Sequence, residues 1–108
     1  MSVQTIRKAL GELQDEPDNA MAWYYLADAH ARSGNDAMAA LATAERYYSI
    51  RAYAQAVSFA QRAQRKLKEG TNDWQRANDI LSIAQIGAAE ERKRSRLSHA
   101  PLDIRFGN

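Results

Sequence analysis

The sequence predicts an all-α fold of about five helices that pack as antiparallel hairpins, and three observations support this class. Apolar residues recur every three or four positions along most of the chain, which is the period of an amphipathic helix. No segment alternates apolar and polar residues with the β-branched enrichment of a strand. Pro17, Gly34 and Gly70 separate the periodic segments by short connections, and such connections place neighbouring helices antiparallel.

The first two predicted helices have clear ends. The apolar face of the first helix consists of Val3, Ile6, Leu10 and Leu13. This helix must end before Pro17, because the residue that precedes a proline is disfavoured in the helical conformation. The second helix carries an apolar stripe of Trp23, Leu26, Ala27 and His30. It ends at Gly34, a residue suited to the left-handed conformation that closes helices.

The third predicted helix starts at a cap formed by Asn35 or Asp36, since short polar side chains favour this position. Its stripe consists of Ala37, Ala40, Leu41, Ala44, Tyr47 and Tyr48. Its end near Arg51 and Ala52 is weakly marked, because neither residue is a helix breaker.

The fourth and fifth predicted helices are separated by Gly70. The stripe of the fourth helix consists of Tyr53, Ala56, Val57, Ala60, Ala63 and Leu67. Asn72 or Asp73 caps the fifth helix. Its stripe consists of Trp74, Ala77, Ile80, Leu81, Ala84 and Ala88. The charged end of this helix is expected to fray, so we predict one helical domain over residues 1–97 and a flexible tail over 98–108.

The composition is that of an ordinary globular domain. The 108 residues are 45% hydrophobic and 26% charged, with a net charge of +2. The absence of cysteine excludes disulfides and thiolate zinc sites. Residues 1–8 contain no signal-peptide core, and no apolar run approaches the roughly 18 residues that cross a bilayer, so membrane insertion is not expected.

The segment from Pro17 to Ala27, PDNAMAWYYLA, resembles the junction between two tetratricopeptide repeats, where a proline turn leads into a Trp-x-x-Leu-small helix. Gly34 and Ala39 then match the hairpin turn and the small residue of the second helix. A second match reads Ala44, Tyr47, Ala56, Ala60 and Ala63. From Ala27 to Ala44 is 17 residues, half of the roughly 34-residue repeat, so the repeat frame is ambiguous.

This resemblance implies a short tetratricopeptide-like superhelix whose core contains large and small residues at set positions. The predicted core residues are Trp23, Leu26, Ala27, Gly34, Ala39, Ala44, Ala56, Ala60, Trp74 and Leu81. Large residues fill the space between helices, while alanine and glycine let the backbones approach closely.

A narrower resemblance is to the C-terminal repeats of BepA-like bacterial zinc-dependent metalloproteases. It rests on Asn19–Trp23, Gly34–Ala39, Ala44–Tyr48 and above all Asn72–Leu81. The resemblance implies a parent protein with a zinc protease domain, usually in the periplasm. This chain has only His30 and His99, neither within an HExxH motif, so we predict no catalysis and no cofactor in it; zinc would belong to the parent protein.

In this family the first helix of each repeat lines a groove for a peptide. The positions that match are Tyr24, Asp28, Arg32, Leu41, Glu45 and Tyr48. The expected partner is therefore a protein or peptide segment, the parent's own protease domain, or a second copy of this chain. An alternative is a nucleic-acid or membrane-surface contact through Arg92, Lys93, Arg94 and Arg96. Nucleic acid is not expected, because no aromatic residue interleaves with this cluster to stack on bases.

Overall fold

The computed structural model describes residues 3–16 and 18–98, and within these ranges it contains five helices and no strand. The helices are α1 (Val3–Asp15), α2 (Ala20–Arg32), α3 (Asp36–Ser49), α4 (Tyr53–Lys66) and α5 (Asn72–Ser98). The predicted all-α class with five helices is confirmed. Of the predicted tail, only Ser98 is described, as the last residue of α5. No helix of the described ranges combines the length and the apolar character needed to cross a membrane.

Asparagine side chains cap two of the helices at their N-terminal ends. The Oδ1 atom of Asn19 accepts a hydrogen bond from the backbone N–H of Ala22 at 3.0 Å. Asn35 Oδ1 accepts one from the N–H of Met38 at 3.1 Å. Each cap satisfies a backbone donor that has no partner within its helix, which fixes where α2 and α3 begin.

The turn between α3 and α4 is closed by a residue that the sequence does not mark. Arg51 adopts a φ of 61°, in the left-handed region, whereas the turns after α2 and α4 use glycines there. The N–H of Ala52 donates to the carbonyl of Tyr47 at 2.8 Å, and the N–H of Arg51 donates to that of Tyr48 at 3.1 Å. These two bonds form a Schellman motif, which ends α3 despite the conformational cost at Arg51.

Each helix packs against the next one along the chain, and α3 additionally contacts α5. No Cα atoms of α2 and α4 approach within 8 Å of each other. Thus α3 and α5 lie next to each other, and α4 packs against both. Both α2 and α4 contact α3, but they do not contact each other. This asymmetry creates the open groove described below.

Two buried clusters hold the helices together, and alanine dominates both. The larger cluster joins α3, α4 and α5 and consists of Ala40, Leu41, Ala44, Ala56, Ala60, Ala63, Ala77, Ile80 and Ala84. The smaller cluster joins α1, α2 and α3 and consists of Ala9, Leu13, Ala22, Leu26 and Ala42. Small side chains at these positions allow the helix backbones to lie close together.

The residues predicted for the core occupy different environments. Four of them are buried, namely Leu26, Ala44, Ala56 and Ala60. Partly buried residues that pack against a cluster are Trp23, Ala27 and Leu81. Trp74 is half-buried, Gly34 lies in the exposed turn after α2 with a φ of 81°, and Ala39 lines the groove.

The fifth helix extends beyond its apolar stripe. It continues for 27 residues to Ser98, although its last buried residue is Ala88. The apolar stripe ends there, but the following residues are mostly strong helix formers such as alanine, glutamate, lysine, arginine and leucine. Helix propensity therefore extends α5 beyond the part that packing requires.

Candidate functional site

A groove of about 900 Å³ runs between α2 and α4, and α3 forms its floor. The part of the floor formed by Ala39, Ala40 and Thr43 has only small side chains. The Oγ1 atom of Thr43 donates a hydrogen bond to the carbonyl of Ala39 at 2.8 Å, so this hydroxyl is turned back onto its own helix. The groove is therefore open because the side chains of its floor are short and the helices that form its two walls do not contact each other.

Arginine and aromatic side chains connect the floor of the groove to both walls. The guanidinium carbon of Arg46 lies 4.9 Å from the centre of the Tyr24 ring and 5.1 Å from that of Tyr47. The guanidinium of Arg62 lies 4.8 Å from the centre of the Phe59 ring. Tyr47 and Phe59 in turn stack with their centres 5.6 Å apart. Such cation–π contacts hold the arginines in place while leaving N–H donors of the guanidinium available.

The charges in the groove are unequally distributed between its walls. The α4 wall carries Arg62, Arg65 and Lys66, and all three side chains are exposed. The α2 wall carries Asp28, whose Oδ2 atom accepts a hydrogen bond from Nε of Arg32 at 3.0 Å. With Arg46 on the floor and Asp36 near the start of α3, four cations face two carboxylates.

The four cations of the groove make no ion pair within the part of the chain that the structure describes. The two salt bridges between described residues join Arg32 to Asp28 and Arg76 to Glu45. The positive charge of the α4 wall is therefore not neutralised by carboxylates in the described ranges.

On the opposite face of α3, an ion pair with α5 lines a smaller cavity of about 230 Å³. Nε and Nη2 of Arg76 donate to the two carboxylate oxygens of Glu45 at 2.8 and 2.7 Å. The Arg76 guanidinium also lies 5.8 Å from the centre of the Tyr48 ring. The hydrogen bond to Glu45 is the main cause that raises the pKa of Arg76 above its ordinary value. Glu45 is only 8% exposed, and both of its oxygens are satisfied.

The structure places the six residues predicted for one groove in different regions of the molecule. Tyr24 and Asp28 line the groove, and Arg32 lies beside it as the partner of Asp28. Leu41 is instead a core residue at 5% exposure, and Glu45 and Tyr48 face α5. The structure therefore does not bring these three residues into the groove that contains Tyr24 and Asp28.

The residues of α4 that give the groove its positive charge are not among the predicted site residues. Phe59, Arg62 and Lys66 are spaced three and four residues apart, so they share one helix face. That spacing is visible in the sequence. It is overlooked when only the apolar stripe of the helix is followed.

No protein-family model matches this sequence, and no curated protein or solved structure is significantly similar to it. Among residues 3–16 and 18–98, no group of three or more His, Cys, Asp or Glu side chains is arranged to hold a metal ion.

Proposed function

We propose that this chain is a non-catalytic protein-interaction domain that binds a segment of another protein in the groove between α2 and α4. The observation that carries the proposal is the groove itself. It combines a low floor of small residues, two aromatic rings and cations without carboxylate partners among the described residues. Grooves between helices are suited to a peptide that inserts an apolar anchor and orients its polar groups along the walls.

We further propose that the domain is of the tetratricopeptide type and serves as the C-terminal part of a zinc-dependent metalloprotease. In that setting it would dock substrates or partner proteins, in the periplasm, while proteolysis and zinc belong to the parent's protease domain. The antiparallel hairpins support this proposal, as does the repeat-like segment from Pro17 to Ala27. The contact between α3 and α5 would make them equivalent helices of successive repeats, with α4 between them.

The basic cluster on α5 is a weaker candidate for binding. Arg92, Lys93, Arg94 and Arg96 are exposed on one helix, and no aromatic residue lies among residues 89–98. Arg92 lines a shallow cavity with Ala54, Val57, Gln85 and Ala88, and this lining contains no second cation. Such clusters are usually a solvated helix face.

A substitution that blocks the groove tests the proposed function. Ala31 is exposed at the α2 wall, so Ala31→Trp places an indole in the groove without disturbing the core. Ala89→Trp is the matched control, because Ala89 is equally an exposed helical alanine but lies outside the groove. Peptides selected from a random display library on the unmodified domain should lose at least about tenfold in affinity for Ala31→Trp. They should bind Ala89→Trp normally.

Two results would contradict the proposal. The first is that the selected peptides bind both variants equally well. The second is that a library of high diversity yields no peptide that competes for the groove. Circular dichroism melts of both variants verify that any loss of affinity does not come from unfolding.

A further inference from the structure

We infer that the segment bound in this groove is acidic: a peptide with at least two Asp or Glu residues next to one apolar anchor. This inference rests on the proposed function, and it specifies the chemistry of the partner. It starts from the charges of the groove. Arg46, Arg62, Arg65 and Lys66 have no carboxylate within 4.0 Å among the described residues, whereas Asp28 is already paired with Arg32.

The position of the arginines favours carboxylates as their ligands. Arg46 and Arg62 are held over aromatic rings on opposite sides of the groove, at 4.9 Å from Tyr24 and 4.8 Å from Phe59. A guanidinium that packs against a ring still has N–H donors that point away from it, and a pair of these donors matches the two oxygens of a carboxylate. Two such arginines can therefore receive two acidic side chains with little loss of conformational freedom.

The floor between the arginines selects a peptide with an apolar side chain. Ala39, Ala40 and Thr43 offer a shallow surface of methyl groups, because the Thr43 hydroxyl is bonded to the backbone. A leucine or phenylalanine between the acidic residues would cover this surface. The expected pattern is acidic residues on either side of one large apolar residue.

Nucleic acid fits the same groove less well. Base recognition by stacking needs free aromatic faces, but guanidinium groups already lie over the Tyr24 and Phe59 rings. Asp28 and Asp36 would repel a continuous phosphate backbone, whereas a peptide can place neutral or basic residues opposite them.

The experiment measures fluorescence anisotropy of a labelled, end-capped peptide, Glu-Asp-Phe-Asp-Glu, and of its neutral analogue, Gln-Asn-Phe-Asn-Gln. The double variant Arg62→Glu/Arg65→Glu reverses two charges of the groove. Lys93→Glu/Arg94→Glu makes the same change in net charge on α5, outside the groove. Oligothymidylate of the same charge as the acidic peptide is the nucleic-acid probe.

We expect the acidic peptide to bind at least about tenfold more tightly than the neutral analogue. We expect Arg62→Glu/Arg65→Glu to weaken this binding at least about tenfold and Lys93→Glu/Arg94→Glu to leave it within about twofold. If the charge-reversal variant does not unfold at the same temperature as the unmodified domain, Arg62→Gln/Arg65→Gln is used in its place.

The inference is overturned if the neutral analogue binds as tightly as the acidic peptide, or if oligothymidylate binds more tightly in a manner that depends on Arg62 and Arg65. If neutral peptides bind and Ala31→Trp still blocks them, the groove remains the binding site and only its acidic preference fails. If Ala31→Trp blocks no peptide, the proposed function fails as well.

Discussion

His30 lies in the last turn of α2 and is partly buried. Burial penalises the charged imidazolium and lowers the pKa of His30 below its ordinary value, while the charge of Asp73 opposes this shift in part. The unfolded chain therefore binds a proton at this position at a higher pH than the folded chain does. Consequently the folded state loses stability as the pH falls below the unfolded pKa and through the folded one.

This linkage predicts how a His30→Gln variant differs from the unmodified domain. Glutamine does not titrate, so the free energy of unfolding of the unmodified domain should fall relative to that of the variant as the pH drops from about 7.5 to about 5.5. Urea unfolding at the two pH values measures the difference. Asp73→Asn should enlarge the fall, because it removes the charge that opposes the shift. A difference between the two proteins that does not change with pH would contradict this account.

The packing of α4 on α5 depends on a glycine in the middle of a long helix. The ring of Tyr53, at the start of α4, lies directly against Gly87 of α5. A methyl group built on Gly87 would come within 2.7 Å of the Cγ and Cε2 atoms of that ring. The Tyr53 ring also meets that of Tyr48 edge to face at 6.3 Å, which limits how far it can move.

We predict that Gly87→Ala destabilises the domain by about 1–3 kcal/mol, because overpacking outweighs the better helix propensity of alanine. Gly11→Ala is the matched control. Gly11 is also helical, but nothing lies within 4 Å of a side chain built there. This change should stabilise the domain by up to about 1 kcal/mol. Urea unfolding of both variants measures the free energies. An equal gain in both would mean that Tyr53 does not pack on Gly87.

The sequence predicts the existence and the order of the helices well, because apolar periodicity and Gly or Asn punctuation are local signals. It marks the end of α3 near Arg51 and Ala52 only weakly, because Arg51 is not a usual residue for a positive φ and the motif is completed by backbone bonds. The apolar stripe of α5 stops at Ala88, and helix propensity continues the helix to Ser98.

The structure separates Leu41, Glu45 and Tyr48 from the groove between α2 and α4. The face of α3 that points toward α5 is set by the contact between these two helices, which no local pattern encodes. Leu41 lies in the larger core cluster, and Glu45 pairs with Arg76, 31 residues away along the chain. The burial of Leu41 agrees with its place on the apolar stripe of the third predicted helix, whereas the pairing of Glu45 depends on tertiary packing. Tyr24 and Asp28 reach the groove because the orientation of α2 follows from its own apolar stripe.

At the scale of the whole molecule, the two sides of α3 have different roles. One side packs against α5, with the buried Glu45 carboxylate satisfied by Arg76. The other side is left open because α2 and α4 do not meet. The side toward α5 stabilises the stack of helices, and the open side carries the cations and the Tyr24 and Phe59 rings of the groove. We propose that ligands bind on this open side.

The most direct test is a titration of isotope-labelled domain with the acidic peptide Glu-Asp-Phe-Asp-Glu, followed by the backbone amide resonances in a two-dimensional NMR spectrum. We expect the largest chemical-shift changes in residues 24–31 of α2, 36–46 of α3 and 59–66 of α4, and we expect the amide resonances of residues 89–98 not to shift. Changes centred on the end of α5, or around Tyr48 and Arg76 where α3 faces α5, would contradict this proposal.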